Sequence, residues 1–309
     1  MGENGRIVKV GVVGVGHLGQ HHARIYTETP GVELIGVADV SEARRKEVGT
    51  RLSVRAMASY RDLIGRVQAV SVAVPTAAHH EVARDFLVAG CDVLVEKPIT
   101  RTLAEADDLV ALAAAQGRIL QVGHSERYNG AVQALASQVQ DPAFIEVHRM
   151  GPFPGRGTDV DVVLDLMIHD IDIILTLVKS PVTQVSAVGV PVISEQVDIA
   201  NARLEFASGC VANITASRVT GERLRKVRVF QRDTCFLLDY ATQELHLVRQ
   251  SAATGRGLTR IEVPVARVEP LRQELADFVA SVRTRRPPMV SGEAGREAVA
   301  VAARIIERL

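Results

Sequence analysis

Residues 10–19 read Val10-Gly11-Val12-Val13-Gly14-Val15-Gly16-His17-Leu18-Gly19. A Val-rich run over 7–13 leads directly into three glycines spaced G-x-G-x-x-G, and a helical pattern follows. In that setting each glycine has its own steric task. The first permits a tight turn, the second lets the backbone approach a pyrophosphate, and the third lets the helix pack on the strand. The helix N-terminus then presents its unpaired N–H groups to the anion. In an isolated turn the same spacing would be a weak signal. Here an acid, Asp39, follows the apolar run 32–38 at twenty positions beyond Gly19. A carboxylate at that place accepts hydrogen bonds from both hydroxyls of an adenosine ribose. Strand, loop, helix, strand and acid together predict a βαβ unit that binds a dinucleotide through Gly14, Gly16, His17, Leu18, Gly19 and Asp39. The carboxylate would also repel a 2′-phosphate, and Val40 rather than Arg or Ser comes next, so NAD is expected rather than NADP. Arg44 and Arg45 read as surface charges of the following helix.

The alternation continues. Apolar runs over 67–74, 93–95 and 119–122 are continuous rather than alternating, which marks strands buried on both faces of a parallel sheet. Helical stretches over 81–89 and 103–116 separate them and end at Gly90 and Gly117. Past about residue 143 the pattern changes. Residues 161–178 predict one strong helix. Strand chemistry then recurs over 182–192, 200–206, 210–217, 226–230, 235–238 and 244–248, with Ala207-Ser208-Gly209 as a hairpin turn. Two helices close the chain, over 270–282 and 293–308, the second capped by Ser291. The expected fold class is α/β. A Rossmann dinucleotide-binding domain over 1–123 precedes an α/β domain over 124–309, which carries a mostly antiparallel open sheet. The last helix is a candidate to pack back on the first domain. The open face of that sheet, with apolar alternate residues expected in 182–192 and 200–206, predicts a homo-oligomer, dimer or tetramer.

The 309 residues carry 36 basic and 36 acidic side chains, so the chain is neutral and advertises neither nucleic acid nor an anionic membrane as partner. No apolar run approaches the ~20 residues that span a bilayer. The opening Met-Gly-Glu-Asn-Gly-Arg shows no secretory leader and no myristoylation pattern. Cys91, Cys210 and Cys235 are widely spaced and fit neither a disulfide framework nor a metal site. They read as reduced thiols of a cytoplasmic protein.

Two further groups carry chemistry. Lys97, in Glu96-Lys97-Pro98, follows the 93–95 strand and stands at the carboxyl edge of a parallel sheet, where open α/β sheets bind ligands. Asp165, His169 and Asp172, at i, i+4 and i+7, share one helix face beside an apolar stripe of Leu164, Ile168, Ile171, Leu175 and Val178. Removing hydride from an alcohol needs a proton acceptor, and His is the side chain poised near neutral pH.

With the glycine loop and the two-domain layout, E-K-P and D-x-x-x-H resemble the Gfo/Idh/MocA oxidoreductase family over essentially the whole chain. The resemblance implies a Rossmann domain followed by an α/β domain with an open antiparallel sheet. It implies hydride exchange between a nicotinamide and a sugar or cyclitol carbon. Lys97 would contact cofactor and reacting hydroxyl, and Lys97, His169 and Asp165 would be the catalytic residues. Whether Lys97 or His169 takes the proton is left open by the sequence. Pro75, Thr76, His79, Glu96 and Lys97 would line the nicotinamide side of the cofactor site, with Thr76 replacing the family's usual Asn. Arg127 and Asn129 match the family's substrate-lining R-[FY]-N. The run from Gly155 to Asp172 is similar to that of nucleotide-sugar members. Arg127, Arg149 and Arg156 would then supply donors to a diphosphate. Two alternatives remain: a dehydrogenase of a free sugar or inositol, and a non-catalytic sensor of dinucleotides.

Overall fold

The computed structural model describes residues 7–153, 161–251 and 257–309. The chain forms two compact units, Met1–Ser125 with Leu271–Val299, and Glu126–Pro270 with Ala300–Leu309.

The first unit begins β1 (Val8–Val13), α1 (Gly19–Glu28), β2 (Val32–Ala38), α2 (Glu42–Leu52) and β3 (Arg55–Met57). It continues β4 (Ala69–Val72), α3 (His79–Val88), β5 (Asp92–Glu96), α4 (Leu103–Ala115) and β6 (Leu120–Gly123). The sheet order is β3-β2-β1-β4-β5-β6 and every pairing is parallel. The chain runs outward from β1 through β2 to β3, then returns to the other side of β1 with β4. That reversal opens a crevice at the carboxyl ends of β1 and β4, the switch point where such sheets bind ligands. All of β4 and β5 is buried, as the continuous apolar runs predict.

The second unit holds α5 (Gly130–Gln138), β7 (Phe144–Met150), a π-helical turn (Val163–Met167) and α6 (Ile168–Val178). Then come β8 (Val182–Val190), β9 (Ile199–Phe206), β10 (Val211–Ser217), β11 (Leu224–Gln231), β12 (Thr234–Asp239), β13 (Glu244–Gln250) and β14 (Leu258–Val263). The eight strands order as β14-β13-β12-β11-β7-β10-β9-β8. Only β7 against β10 is parallel, so the sheet is mostly antiparallel as expected. Ala202, Leu204 and Phe206 on β9 are buried on one face with Ile214 on β10 and Val147 on β7. The other face of β9 carries Asn201, Arg203 and Glu205, with Asn201 bonded to Thr215 across the strand pair at 2.9 Å. The premise of an apolar outer face therefore fails for 200–206, whose apolar alternates point inward. It holds at the end of β8, where Val188 and Val190 are exposed, and at the stacked Phe144 and Phe230.

The chain closes with α7 (Pro270–Thr284) and α8 (Gly292–Ile306). Residues 271–299, which the sequence assigns to the second domain apart from the last helix, belong to the first unit. The cause is packing. Leu271, Leu275, Phe278, Val279 and Val282 form an apolar stripe at helical spacing, and they join the core of Val8, Val10, Val12 and Ile25. The helix expected over 161–178 is also not uniform, since its first stretch winds as the wider π turn. Asp161 caps that stretch, accepting hydrogen bonds from the N–H groups of Val163 at 2.8 Å and Leu164 at 3.0 Å. Among the described residues no helix is long and apolar enough to cross a membrane.

Candidate active site

In the first unit the three glycines divide their tasks as the spacing predicts. Gly14 adopts φ +82°, and a Cβ there would stand 2.5 Å from the Ala73 carbonyl oxygen. A Cβ on Gly19 would stand 1.8 Å from the Gly14 carbonyl oxygen, so α1 packs at a distance only glycine allows. At Gly16 a Cβ would meet only the Arg44 guanidinium, at 3.6 Å. The space in front of Gly16 is thus clear of backbone, which is the cradle a pyrophosphate fills. Leu18 enters α1 without a side-chain cap, so no side chain covers the helix N-terminus beside that cradle. His17 and Leu18 lie exposed at its rim.

Asp39, half-buried at the end of β2, accepts the Val15 N–H on Oδ2 at 2.8 Å and the Ser41 N–H on Oδ1 at 2.8 Å. It ties the glycine loop to the neighbouring strand, and each oxygen keeps a lone pair for a ribose hydroxyl. Across the sheet, Lys97 is half-buried just beyond β5 and Glu96 is buried at its last position. The Lys97–Pro98 peptide bond is cis. Pro75 is exposed and Thr76 half-buried after β4.

His79 corrects an expectation. It is 1% exposed, with Nδ1 at 2.8 Å from the Pro98 carbonyl and Nε2 at 2.9 Å from the Val74 carbonyl. Burial pushes its pKa down, against the pull of those carbonyls and of Glu96. The ring sits between the loop after β4 and the loop after β5, both nitrogens facing carbonyl oxygens rather than a cofactor.

In the second unit, His169 is half-buried in the first turn of α6, and Asp165 is half-buried in the π turn before it. The extra residue per turn displaces Asp165 from the regular i, i+4 relation to His169. Asp172 is buried and accepts the Arg127 Nε–H at 2.9 Å.

Two residues expected to bind substrate, Asn129 and Arg149, hold the protein together instead, and a third, Arg127, gives its Nε–H to Asp172. Asn129 caps α5, its Oδ1 accepting the Ala131 N–H at 3.0 Å and its Nδ2 donating to the Tyr240 carbonyl at 3.1 Å. Arg149 is 3% exposed and gives two bonds to Asp170, at 2.8 and 2.9 Å, and one to Glu126 at 3.2 Å. Its guanidinium also lies 4.9 Å from the Tyr240 ring centre. Burial works against the Arg149 charge, but the carboxylates of Asp170 and Glu126 outweigh it and hold its pKa above the ordinary value. A guanidinium so surrounded has no fork left for a diphosphate. Arg156 lies outside the described residues.

Comparison with known proteins places these features. The sequence model of an oxidoreductase family with an NAD-binding Rossmann fold matches residues 8–124, and that family's C-terminal domain matches residues 130–233. The chain belongs to the GFO/IDH/MocA oxidoreductase family. This GFO/IDH/MocA oxidoreductase is 36% identical over 302 residues to UDP-N-acetylglucosamine 3-dehydrogenase of Acidithiobacillus ferrooxidans, with 96% of each chain covered. A solved structure of that protein superposes with a TM-score of 0.92, covering 98% of this chain and 97% of the other. Myo-inositol 2-dehydrogenase of Thermotoga maritima is 28% identical over 313 residues, covering 94% and 93%. Levoglucosan dehydrogenase in complex with NADH shares the fold, with a TM-score of 0.88 at 18% identity. The expected family, fold class and NAD cofactor therefore stand. When bound in the glycine cradle, NAD supplies the hydride acceptor.

Two outcomes test this site. Calorimetry should give NAD a tighter dissociation constant than NADP, and Asp39→Ala should narrow the gap. Equal affinities in the wild type would remove Asp39 as the selecting group. Asp170→Ala should destabilise the protein by about 3–5 kcal/mol in urea denaturation, because it strands a buried Arg149. NAD affinity should stay within about twofold, the glycine cradle lying in the other unit. A small stability change would return Arg149 to the list of free cations.

Proposed function

We propose that this oxidoreductase converts the 3-hydroxyl of UDP-N-acetylglucosamine to a ketone, with NAD as acceptor. The observation that carries the proposal is the 36% identity, over 96% of both chains, to a dehydrogenase of that substrate. The inositol dehydrogenases lie further off, at 28% or over shorter spans. A non-catalytic sensor has no need of Lys97, Asp165 and His169 together.

In the proposed reaction the substrate carbon loses a hydride to the nicotinamide and its hydroxyl loses a proton. Charge builds on the oxygen as the hydride departs. Lys97 places an ammonium at that oxygen, and His169 accepts the proton. Asp165 orients the imidazole or the sugar. Pro75 and Thr76 line the nicotinamide ribose with Glu96 behind them. Arg149 is not a donor to the diphosphate, since Asp170 and Glu126 already fill its fork, whereas Arg127 gives its Nε–H to Asp172 and stays a candidate donor. The keto sugar is then ready for transamination to a diamino sugar of the kind lipid A uses. The proposal includes a cytoplasmic homo-oligomer. Burial of Cys91 and Cys210, which raises both thiol pKa values, and the exposed Val188, Val190 and Phe230 support it.

A panel of UDP-sugars, free sugars and inositols, read by NADH absorbance, should rank UDP-N-acetylglucosamine first by at least about tenfold in kcat/KM. An inositol or free sugar in first place would replace the assignment. Lys97→Ala and His169→Ala should each lower kcat by about 10²–10⁴-fold, the usual contribution of an acid–base group, with NAD still bound. Near-normal turnover in both variants would revive the sensor.

A further inference from the structure

Beneath Lys97, three buried ionisable side chains converge. His22 on α1 is 0% exposed, Glu96 on β5 is 7% and Glu274 on α7 is 0%. One donor atom from each lies within 4.8 Å of the other two. His22 Nε2 stands 2.9 Å from Glu96 Oε1. Glu96 Oε2 accepts the backbone N–H of Lys97 at 3.3 Å. A Cβ on Gly123 of β6 would come within 2.9 Å of that same oxygen, so glycine keeps the space open for it. Glu96 thus joins His22 to the backbone of the catalytic lysine.

Glu274 has no such partners. Both its carboxyl oxygens are buried without a hydrogen bond. Its carbonyl accepts from Gln121 Nε2 at 3.1 Å, which holds this turn of α7 against β6. The other titratable groups around the cluster are engaged elsewhere. On α1 the Tyr26 hydroxyl bonds Ser71 at 2.7 Å. On α3 His79 is held by two carbonyls, and on α7 Asp277 accepts the Met289 N–H at 2.8 Å and pairs with Arg286. Two carboxylates this close in a dry interior cannot both carry charge, since each has lost its water and each repels the other. The charge goes to Glu96, which has His22 and the Lys97 N–H to stabilise it.

We propose that Glu274 is a buried protonated positioning residue, whose neutral carboxyl, packed within 4.8 Å of His22 and Glu96, leaves the charge on Glu96 and so fixes the charge environment of Lys97. The proposal rests on the catalytic assignment of Lys97 above. A cation held by the three donors is the competing arrangement, and the 2.9 Å separation of His22 from Glu96 is that of a hydrogen bond between them. The electrostatics agree. Burial first, then the charges of Glu96 and Asp277, push Glu274 well above the ordinary carboxyl range. Burial also acts to raise Glu96, but the His22 bond and the charges of His22 and Lys97 outweigh it and hold Glu96 low.

The consequence for stability has a definite sign. Glu274 stays protonated in the folded protein at pH values where it ionises in the unfolded chain. Between those two pKa values folding takes up one proton, so stability falls as pH rises. Glu274→Gln is neutral throughout and removes that slope. Urea denaturation of the full chain at pH 6, 7 and 8 should show the folding constant of the variant rising against wild type as pH rises, by up to about tenfold per pH unit. If the Gln variant does not fold, Glu274→Leu, equally neutral, gives the same slope. A ratio constant with pH would overturn the proposal, as would a stoichiometric divalent ion found in the purified protein and absent from His22→Ala. The positioning role is read in turnover. Ionisation of Glu274 at high pH would set a second charge beside Glu96 and disturb Lys97, so Glu274→Gln, which cannot ionise, should carry the alkaline limb of the kcat profile higher, and an unmoved limb would overturn that role. The denaturation arm needs no substrate, so it stands or falls separately from the proposed reaction.

Discussion

The contact of Gly19 with Gly14 sets the geometry on which the first unit depends. A methyl group at residue 19 would stand 1.8 Å from the Gly14 carbonyl oxygen and 3.3 Å from the Ala73 side chain. Helix α1 therefore meets the sheet at a distance only a hydrogen tolerates, and its first turn is held over the carboxyl ends of β1 and β4. Two results follow from one approach. The open N-terminus of the helix faces the cradle in front of Gly16, where a dinucleotide's phosphates bind. One turn inside, His22 is carried down to Glu96, the last residue of β5, immediately before Lys97. The turn that receives the cofactor and the support under the lysine are built by the same close packing.

Both units use buried charge for rigidity. In the first, Glu96 is anchored by His22 and the Lys97 N–H. In the second, Arg149 is locked by Asp170 and Glu126, and Arg218 by Asp198, whose Oδ2 also gathers the N–H groups of Val192, Ile193 and Ser194. Such pairs add little net stability because desolvation offsets attraction, but breaking one is costly. Asp170 follows His169 in the chain, so the Arg149 pair also fixes the first turn of α6. His169 thus stands beside an anchored carboxylate.

What the sequence makes legible is what local spacing decides. The glycine loop, Asp39, and Lys97 at a strand's carboxyl end are all read from neighbours within one βαβ unit, and the structure places them so. The stripe on α7 reveals an amphipathic helix but not which sheet it covers, and it returns to β1 from the far end of the chain. Arg127, Asn129 and Arg149 look like substrate donors because a sequence shows a polar group without its partner. Their partners Asp172, Tyr240 and Asp170 lie 45, 111 and 21 residues away. His79 is misread for the same reason, since its ring meets carbonyls contributed by two separate loops. The π turn under Asp165 leaves no mark in an apolar pattern that suits a plain helix. Glu274 did leave one: an acid set among Leu271, Leu275 and Phe278 on the buried stripe of α7 is a carboxyl that folding must neutralise.

The proposed reaction moves hydride from carbon 3 of a nucleotide sugar to NAD. UDP-N-acetylglucosamine bearing deuterium at carbon 3, incubated with NAD and the enzyme, measures that transfer directly by mass spectrometry of both products. The account requires reduced nicotinamide that carries the deuterium, and a UDP-sugar that has lost it along with the hydroxyl proton. Reduced nicotinamide without label would place the oxidation at another carbon, and no reduction at all would contradict the assigned substrate.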